Sequence, residues 1–348
     1  MEKDVLPSPA SAAPQPSTAA VPALPALRTV SPEQLSQQLA AGTWETQLLD
    51  TEPNYDVDLR AWNLGGMLVT SGNLPRRRHV RSASRIRGDD VDHYYLQFSS
   101  ADRLYDSDGE RQWVRGGQLV LRDMSRPSEM TSDQGRNLVL VVPRGALEKL
   151  LPGVSHLNGR ILEGPASRIL CQHLQSLPTR LPEMAGSQAE GVAVATLHLV
   201  AACVTQVRHA AAQAYPVVSS VLLRQAYEYI EQRLVDPELD AQRICMALRI
   251  SRATLYRLFE ASGGVSSYIR ERRLLRIQDA IRGGRGDPLA RIAQAYGYDN
   301  QAAFSQAFKR QFGYRPSEVM RADAFTAGQA QHQGEAQDIR NWLQGLRA

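Results

Sequence analysis

Residues 240–262 and 287–313 repeat one another, and no other feature of the 348-residue sequence limits its fold as tightly. Ile244-Cys245-Met246-Ala247 aligns with Ile292-Ala293-Gln294-Ala295, with a small residue, Cys245 or Ala293, where two helices must approach closely. A turn follows, then an N-cap candidate, Ser251 in the first copy and Asp299 in the second. Past the cap, Leu255, Leu258 and Phe259 fall on one face at helical spacing, and Phe304, Phe308 and Phe312 do so in the second copy. Each copy is therefore predicted to be two helices joined by a tight turn, packed through these apolar faces.

The outward residues of the second helices carry the chemistry. They are Arg252, Ala253, Thr254, Tyr256 and Arg257 in the first copy, and Asn300, Gln301, Ala302, Ser305, Gln306 and Lys309 in the second. Arginine pairs with guanine edges and Asn or Gln with adenine edges in a major groove, while Ser and Lys suit phosphate. One copy alone reads equally as an ordinary helical hairpin with a solvated polar face. Two in tandem point to double-stranded DNA as the partner.

Residues 266–282 join the copies, with Ile269, Leu274, Ile277 and Ile281 spaced as one helix. Its ~17 residues span roughly 26 Å, a rod able to hold two reading helices near the ~34 Å that separates successive major grooves. Asp287-Pro288 restarts the chain as an N-cap with proline at the first helical position.

Residues 217–321 resemble the DNA-binding module of the AraC/XylS family of bacterial transcription regulators. The likeness rests on Leu248 through Phe259, on Tyr268-Ile269-Arg270-Glu271-Arg272-Arg273-Leu274, and on Ile292-Ala293, Gly297-Tyr298 and Phe304 through Pro316. The family usually has glycine in the first turn, where this chain has Arg249. A non-glycine residue forced into a left-handed backbone there costs about 1–2 kcal/mol. The resemblance implies an activator that contacts RNA polymerase and answers to a small organic effector.

Charge agrees with this placement. The whole chain carries +4, whereas residues 217–320 hold 16 Lys plus Arg against 11 Asp plus Glu, so the basic balance sits in the module that meets phosphate. Cys171, Cys203 and Cys245 lie far apart, as buried structural thiols would, with neither disulfide nor zinc spacing. Residues 1–29, rich in Pro and Ala, read as a disordered arm rather than a signal peptide. No run of ~20 consecutive apolar residues suggests a membrane span, so a cytoplasmic location is expected.

Residues 30–150 change character. Met67–Thr70, His93–Phe98, Gln118–Leu121 and Asn137–Val142 are β-like runs, separated by turn signals including Asp106-Ser107-Asp108-Gly109 and Gly116-Gly117. A β-barrel or jelly roll follows. With His79-Val80-Arg81 and Arg115 through Asp123, this stretch resembles, more weakly, the effector domain of one branch of the same family, which implies sensing of small organic molecules. A metal-dependent cupin enzyme would need two histidines one residue apart, and His79 has no such neighbour. His79 and His93 therefore read as structural, no cofactor or metal is expected, and no catalytic residue emerges. Arg76-Arg77-Arg78 reads as a solvated loop. Arg81, Arg85 and Arg87 alternate as on a strand, and either meet water or line a pocket where Arg81 and Arg85, with Tyr94 and Trp113, receive a carboxylated effector.

Between the domains, 151–216 reads as a helical linker or dimerisation region. Val192, Thr196, Leu199, Val200, Cys203 and Val207 form a stripe that either covers the barrel or pairs with a second subunit as a homodimer. The expected fold class is α+β, with a cupin-like barrel at 30–150, the DNA-binding domain at 217–321 and a tail at 322–348. Two alternatives stand beside this reading. One is an enzyme, such as an alkyl-acceptor repair protein with a DNA-targeting module, against which the scattered cysteines argue. The other is a regulator whose barrel only dimerises or binds a protein.

Overall fold

The computed structural model describes residues 20–319 apart from 25, 42, 90, 108, 152–153, 212–216 and 283–287, together with residues 342, 343, 345 and 346. Two antiparallel sheets form the N-terminal domain. The larger has the order β1-β3-β4-β11-β6-β9-β12, from β1 (Leu27–Val30), β3 (Tyr55–Asn63), β4 (Leu68–Leu74), β6 (Tyr94–Ser99), β9 (Leu119–Asp123), β11 (Gly135–Val142) and β12 (Ile161–Leu162). The smaller has the order β2-β5-β10-β7-β8, from β2 (Glu45–Leu48), β5 (Arg77–Arg81), β7 (Arg103–Ser107), β8 (Glu110–Val114) and β10 (Ser128–Ser132). All four expected strand runs are strands, and Gly109, at φ 81, turns the chain between β7 and β8. Asp108 of that turn lies outside the described residues.

The period-two alternation of the strands decides what each face meets. Leu138, Leu140 and Val142 of β11, with Tyr94, Leu96 and Phe98 of β6, join a core with α4 (Pro165–Arg180) and α5 (Gly186–Ala211). The alternate residues, Val139, Val141 and Tyr95, face the other way, toward the smaller sheet. Arg122 shows that direction directly: it is the register partner of Tyr95, and its guanidinium lies 4.6 Å from the Tyr105 ring of β7.

The Pro/Ala-rich arm is shorter than expected. Ala20 and Ala23 bridge Ala185 and Trp62, and β1 pairs with β3, so the chain joins the barrel from residue 20 because edge-strand hydrogen bonds are available to it. Residues 1–19 lie outside the described residues. Three short helices connect the strands: α1 (Pro32–Ala41), α2 (Ala83–Asp89) and α3 (Arg144–Leu150).

Of the two readings of the α5 stripe, covering the barrel accounts for Thr196, Val200 and Cys203, which are buried in the barrel core with Ala189 and Ala193. The Val207 side chain lies outside the described residues. By length and composition Gly186–Gln206 is apolar enough to cross a membrane, and its buried stripe supplies a packing reason for that composition.

The C-terminal domain is all helical: α6 (Val217–Gln232), α7 (Ala241–Leu248), α8 (Arg252–Leu258), α9 (Val265–Arg282), α10 (Leu289–Ala295) and α11 (Gln301–Phe312). Tyr227, Ile244, Leu255, Phe259 and Tyr268 build one core around α7 and α8, while Leu274, Ile277, Ala293, Phe304, Phe308 and Phe312 build another around α10 and α11. The 18-residue α9 contributes to both cores and is ~27 Å long.

Candidate nucleic-acid interface and barrel interior

Each candidate reading helix is set by its cap. Ser251 accepts a hydrogen bond from the Thr254 backbone N–H at 3.1 Å, starting α8 as expected. In the second copy the cap is Asn300 instead of Asp299: its Oδ1 accepts from the N–H groups of Ala302 and Ala303 at 2.9 and 3.0 Å. Asn300 sits at the position whose side chain can reach the two orphan donors of α11, which leaves Asp299 in the turn. Pro288 immediately precedes α10, while Asp287 lies outside the described residues.

Beyond the caps, Arg252, Ala253, Tyr256 and Arg257 are exposed on α8, with Thr254 half-buried. Gln301, Ala302, Gln306 and Lys309 are exposed on α11, with Ser305 half-buried. The apolar side of each helix is consumed by its core, so these polar residues share the free side. Tyr256, 52% exposed, gives α8 a large flat surface that no core residue covers. Arg252 Nη2 donates to Gln242 Oε1 at 3.0 Å, and Thr254 hydrogen-bonds Ser251, so part of the expected reading set also braces its own helix. The Arg-rich run of α9 is less available than its sequence suggests. Arg272 is 3% exposed, and Arg273 donates to the carbonyl oxygens of Leu234 and Asp236.

The four expected effector residues do not converge. Arg81 is spent: it pairs with Asp89 and donates to the carbonyl oxygens of Thr43, Met124 and Val91. Arg85 and Arg87 lie on α2, a helix and not a strand. Tyr94 faces the helical side, donating to Glu148 Oε1 at 2.8 Å and accepting from Arg144 Nη1 at 2.6 Å. Trp113 is 58% exposed on the edge strand β8.

The interior instead holds residues that sequence reasoning missed. Arg77, read as part of a solvated loop, opens β5 with its side chain inward, while Arg76 and Arg78 turn out, Arg76 toward Asp133 and Arg78 to pair with Glu129. Arg77, Arg103 and Arg122 are each 1% exposed and form no ion pair among the described residues. Arg77 Nε donates to His79 Nε2 at 2.8 Å; Arg103 donates to the carbonyl oxygens of Gln97 and Gln118; Arg122 donates to Gln97 Oε1 at 2.8 Å and stacks 4.1 Å from the Trp44 ring. Arg77 Nη2, Arg103 Nε and Arg122 Nε have no hydrogen-bond partner among the described residues. Burial and then Arg103 bring the Arg77 pKa down to about 9, and burial and then Arg122 bring that of Arg103 to about 10. The alternation Arg77-x-His79-x-Arg81 was the available signal, since period two puts all three on one face. His79 holds Thr46 Oγ1 at 2.8 Å, a structural contact, and burial keeps its pKa well below the ordinary value.

A family model described as a helix-turn-helix domain matches residues 244–322, and one described as an AraC-binding-like domain matches residues 33–205. The chain belongs to the AraC/XylS family of transcription regulators. Its C-terminal domain is the family's DNA-binding module. A probable transcriptional regulator, LumQ, of Photobacterium leiognathi is 31% identical over 91 residues, 26% of this chain and 36% of that protein. The chain thus spans about a third of the length of this curated relative. The AraC-like transcriptional activator CuxR is similar in structure at 24% identity and TM-score 0.47, over 70% of this chain and 89% of that one. Unsaturated fatty acid-bound ToxT of Vibrio cholerae matches at 13% identity and TM-score 0.36, over 74% of this chain and 95% of its own.

In this AraC/XylS-type chain the barrel side is fastened to the DNA-binding module. Ile86 of α2 is fully buried in the core of the second helix-turn-helix unit. A Cβ on Gly313, at the end of α11, would stand 2.9 Å from that of Ala83, so α2 needs glycine there to approach. Arg126 Nη2 donates to Glu271 Oε1 at 2.5 Å. Arg272, midway along α9, reaches Glu148 of α3 at 2.7 Å and Glu231 of α6 at 2.5 Å. Glu148 in turn meets Arg144, which pairs with Asp123 at the end of β9, so a line of buried charges runs from sheet to rod. Burial opposes ionisation of Glu148, but Arg272 and then Arg144 outweigh it and hold its pKa at about 2.

Proposed function

We propose that this chain binds a promoter site through α8 and α11, activates transcription through contact with RNA polymerase, and does so under the control of a small organic anion bound between the two sheets. It acts in the cytoplasm and without catalysing a reaction. The observation that carries the control is the fastening of α9. That rod bears a helix-turn-helix unit at each end, and Arg272 at its middle is held by Glu148 of the barrel side. A change in the barrel that moves α3 or α2 changes how the two units are presented to successive grooves. The anionic class follows from Arg77, Arg103 and Arg122, three buried cations without a carboxylate partner among the described residues. An incoming carboxylate would offset that buried charge.

Dimerisation is assigned to the outer faces of α4 and α5, where Ile169 and Val194 are 57% and 59% exposed. Isolated residues from 217 onward should bind duplex DNA and lose any response to the inducing compound in a reporter strain. A response surviving removal of residues 1–216 would refute control by the barrel.

A further inference from the structure

The last residues of the chain return to the barrel, although the DNA-binding module ends near Val319. We infer that the segment Trp342–Leu346 is a tethered plug, seated on the apolar mouth between the sheets and competing with any molecule that enters there.

Leu343 and Leu346 are 2% and 5% exposed, values of a core and not of a chain end. They pack with Leu68, Tyr95, Met124, Val139 and Val141. Leu68, Val141, Tyr95 and Arg122 are successive register partners across β4, β11, β6 and β9, which places the plug on the same sheet face as the buried Arg122 guanidinium. Trp44 belongs to the same apolar cluster and stacks on Arg122, so it links the apolar mouth to the cationic interior. The Leu343 carbonyl is the partner of the buried His93 ring, Nε2 to O 2.7 Å. Without the segment this row of apolar side chains and the His93 nitrogen would be uncovered. Neither helix-turn-helix core uses Trp342, Leu343 or Leu346, so their burial serves the barrel.

The covalent connection makes the plug a strong competitor. The segment belongs to the same chain as Val319, itself buried in the second unit, so its seating is an intramolecular event that does not depend on protein concentration. A plug seated nine-tenths of the time lowers the apparent affinity of an entering molecule about tenfold. Because the tether starts in the DNA-binding module, displacing the plug also frees one of that module's links to the barrel, giving the ligand two states to distinguish. This regulatory consequence rests on the effector reading above, whereas the seating of the segment does not.

The test uses the full chain, its Leu343→Asp/Leu346→Asp double variant, and the apolar anionic dye 8-anilinonaphthalene-1-sulfonate. The variant should bind the dye about tenfold more tightly than the parent while keeping the parent's far-ultraviolet circular dichroism. A synthetic peptide of residues 338–348, added in excess, should restore low dye binding, and the same peptide carrying both aspartates should not. Equal dye binding by parent and variant would overturn the inference, as would dye binding that the native peptide fails to reverse. Neither result bears on whether the barrel controls transcription, which the deletion of residues 1–216 decides separately.

Discussion

Arg249 adopts a left-handed backbone, φ 55 and ψ 43, in the turn between α7 and α8, where the second copy places Gly297 at φ 79. The strain of about 1–2 kcal/mol is partly offset by the extra unfolded-state freedom that glycine would bring. Arg249→Gly should therefore stabilise a fragment covering residues 217–321 by about 0.5–1 kcal/mol, a rise of several degrees in its melting temperature. A fall in melting temperature would show that the arginine side chain contributes more than the turn costs. Asn300 gives a second expectation at this scale. Since its Oδ1 serves two backbone donors, Asn300→Ala should cost about 1 kcal/mol of stability and Asn300→Asp far less, measured by thermal melting. Caps and turns of this kind were legible in sequence because their partners lie within three residues, and the slips, Asp299 for Asn300 as cap and Pro288 as first helical residue where it precedes α10, were each by a single position. The inward arginines were not legible. Arg81 is neutralised by Asp89 and three backbone carbonyls, and Arg77 turns in because it belongs to a strand; both depend on tertiary neighbours that a run of arginines does not announce.

At the level of elements, the contact between α3 and α9 carries a pH signature. Glu148 titrates near pH 2 in the folded chain, against an ordinary 4.5. A depressed carboxylate stabilises the fold above the ordinary value, and this contribution, of order 3 kcal/mol, is lost as the pH falls from about 4.5 toward 2. Protection of the α3 and α9 amides against hydrogen exchange, relative to their intrinsic rates, should fall across that window in the parent chain, and Glu148→Gln should show low protection already at neutral pH because it leaves Arg272 and Arg144 short of a buried counter-charge. An acid profile identical in parent and variant would remove Glu148 from the fastening. The α5 stripe was readable from its period, since a helix that covers a barrel shows its apolar face in sequence. The α2 segment was not, because Ala83–Asp89 is short and Ile86 acquires its meaning only by entering the core of a domain nearly two hundred residues away.

The whole molecule is two helix-turn-helix units on one rod, fastened to a barrel. The repeat made the first half of that statement visible, and the uneven charge placed the basic balance in the same half of the chain. Lys309→Ala should weaken binding to all duplexes alike and reduce the salt slope by about one, in contrast to the base-reading positions. The most direct measurement is selection of bound sequences from a random duplex pool by the full chain, by Arg257→Ala and by Gln306→Ala. Two information-rich clusters about 10 base pairs apart are expected, with Arg257→Ala flattening one and Gln306→Ala the other, each at a cost of about 1–3 kcal/mol. A single cluster, or two clusters left intact by both substitutions, would contradict the claim that α8 and α11 each read DNA.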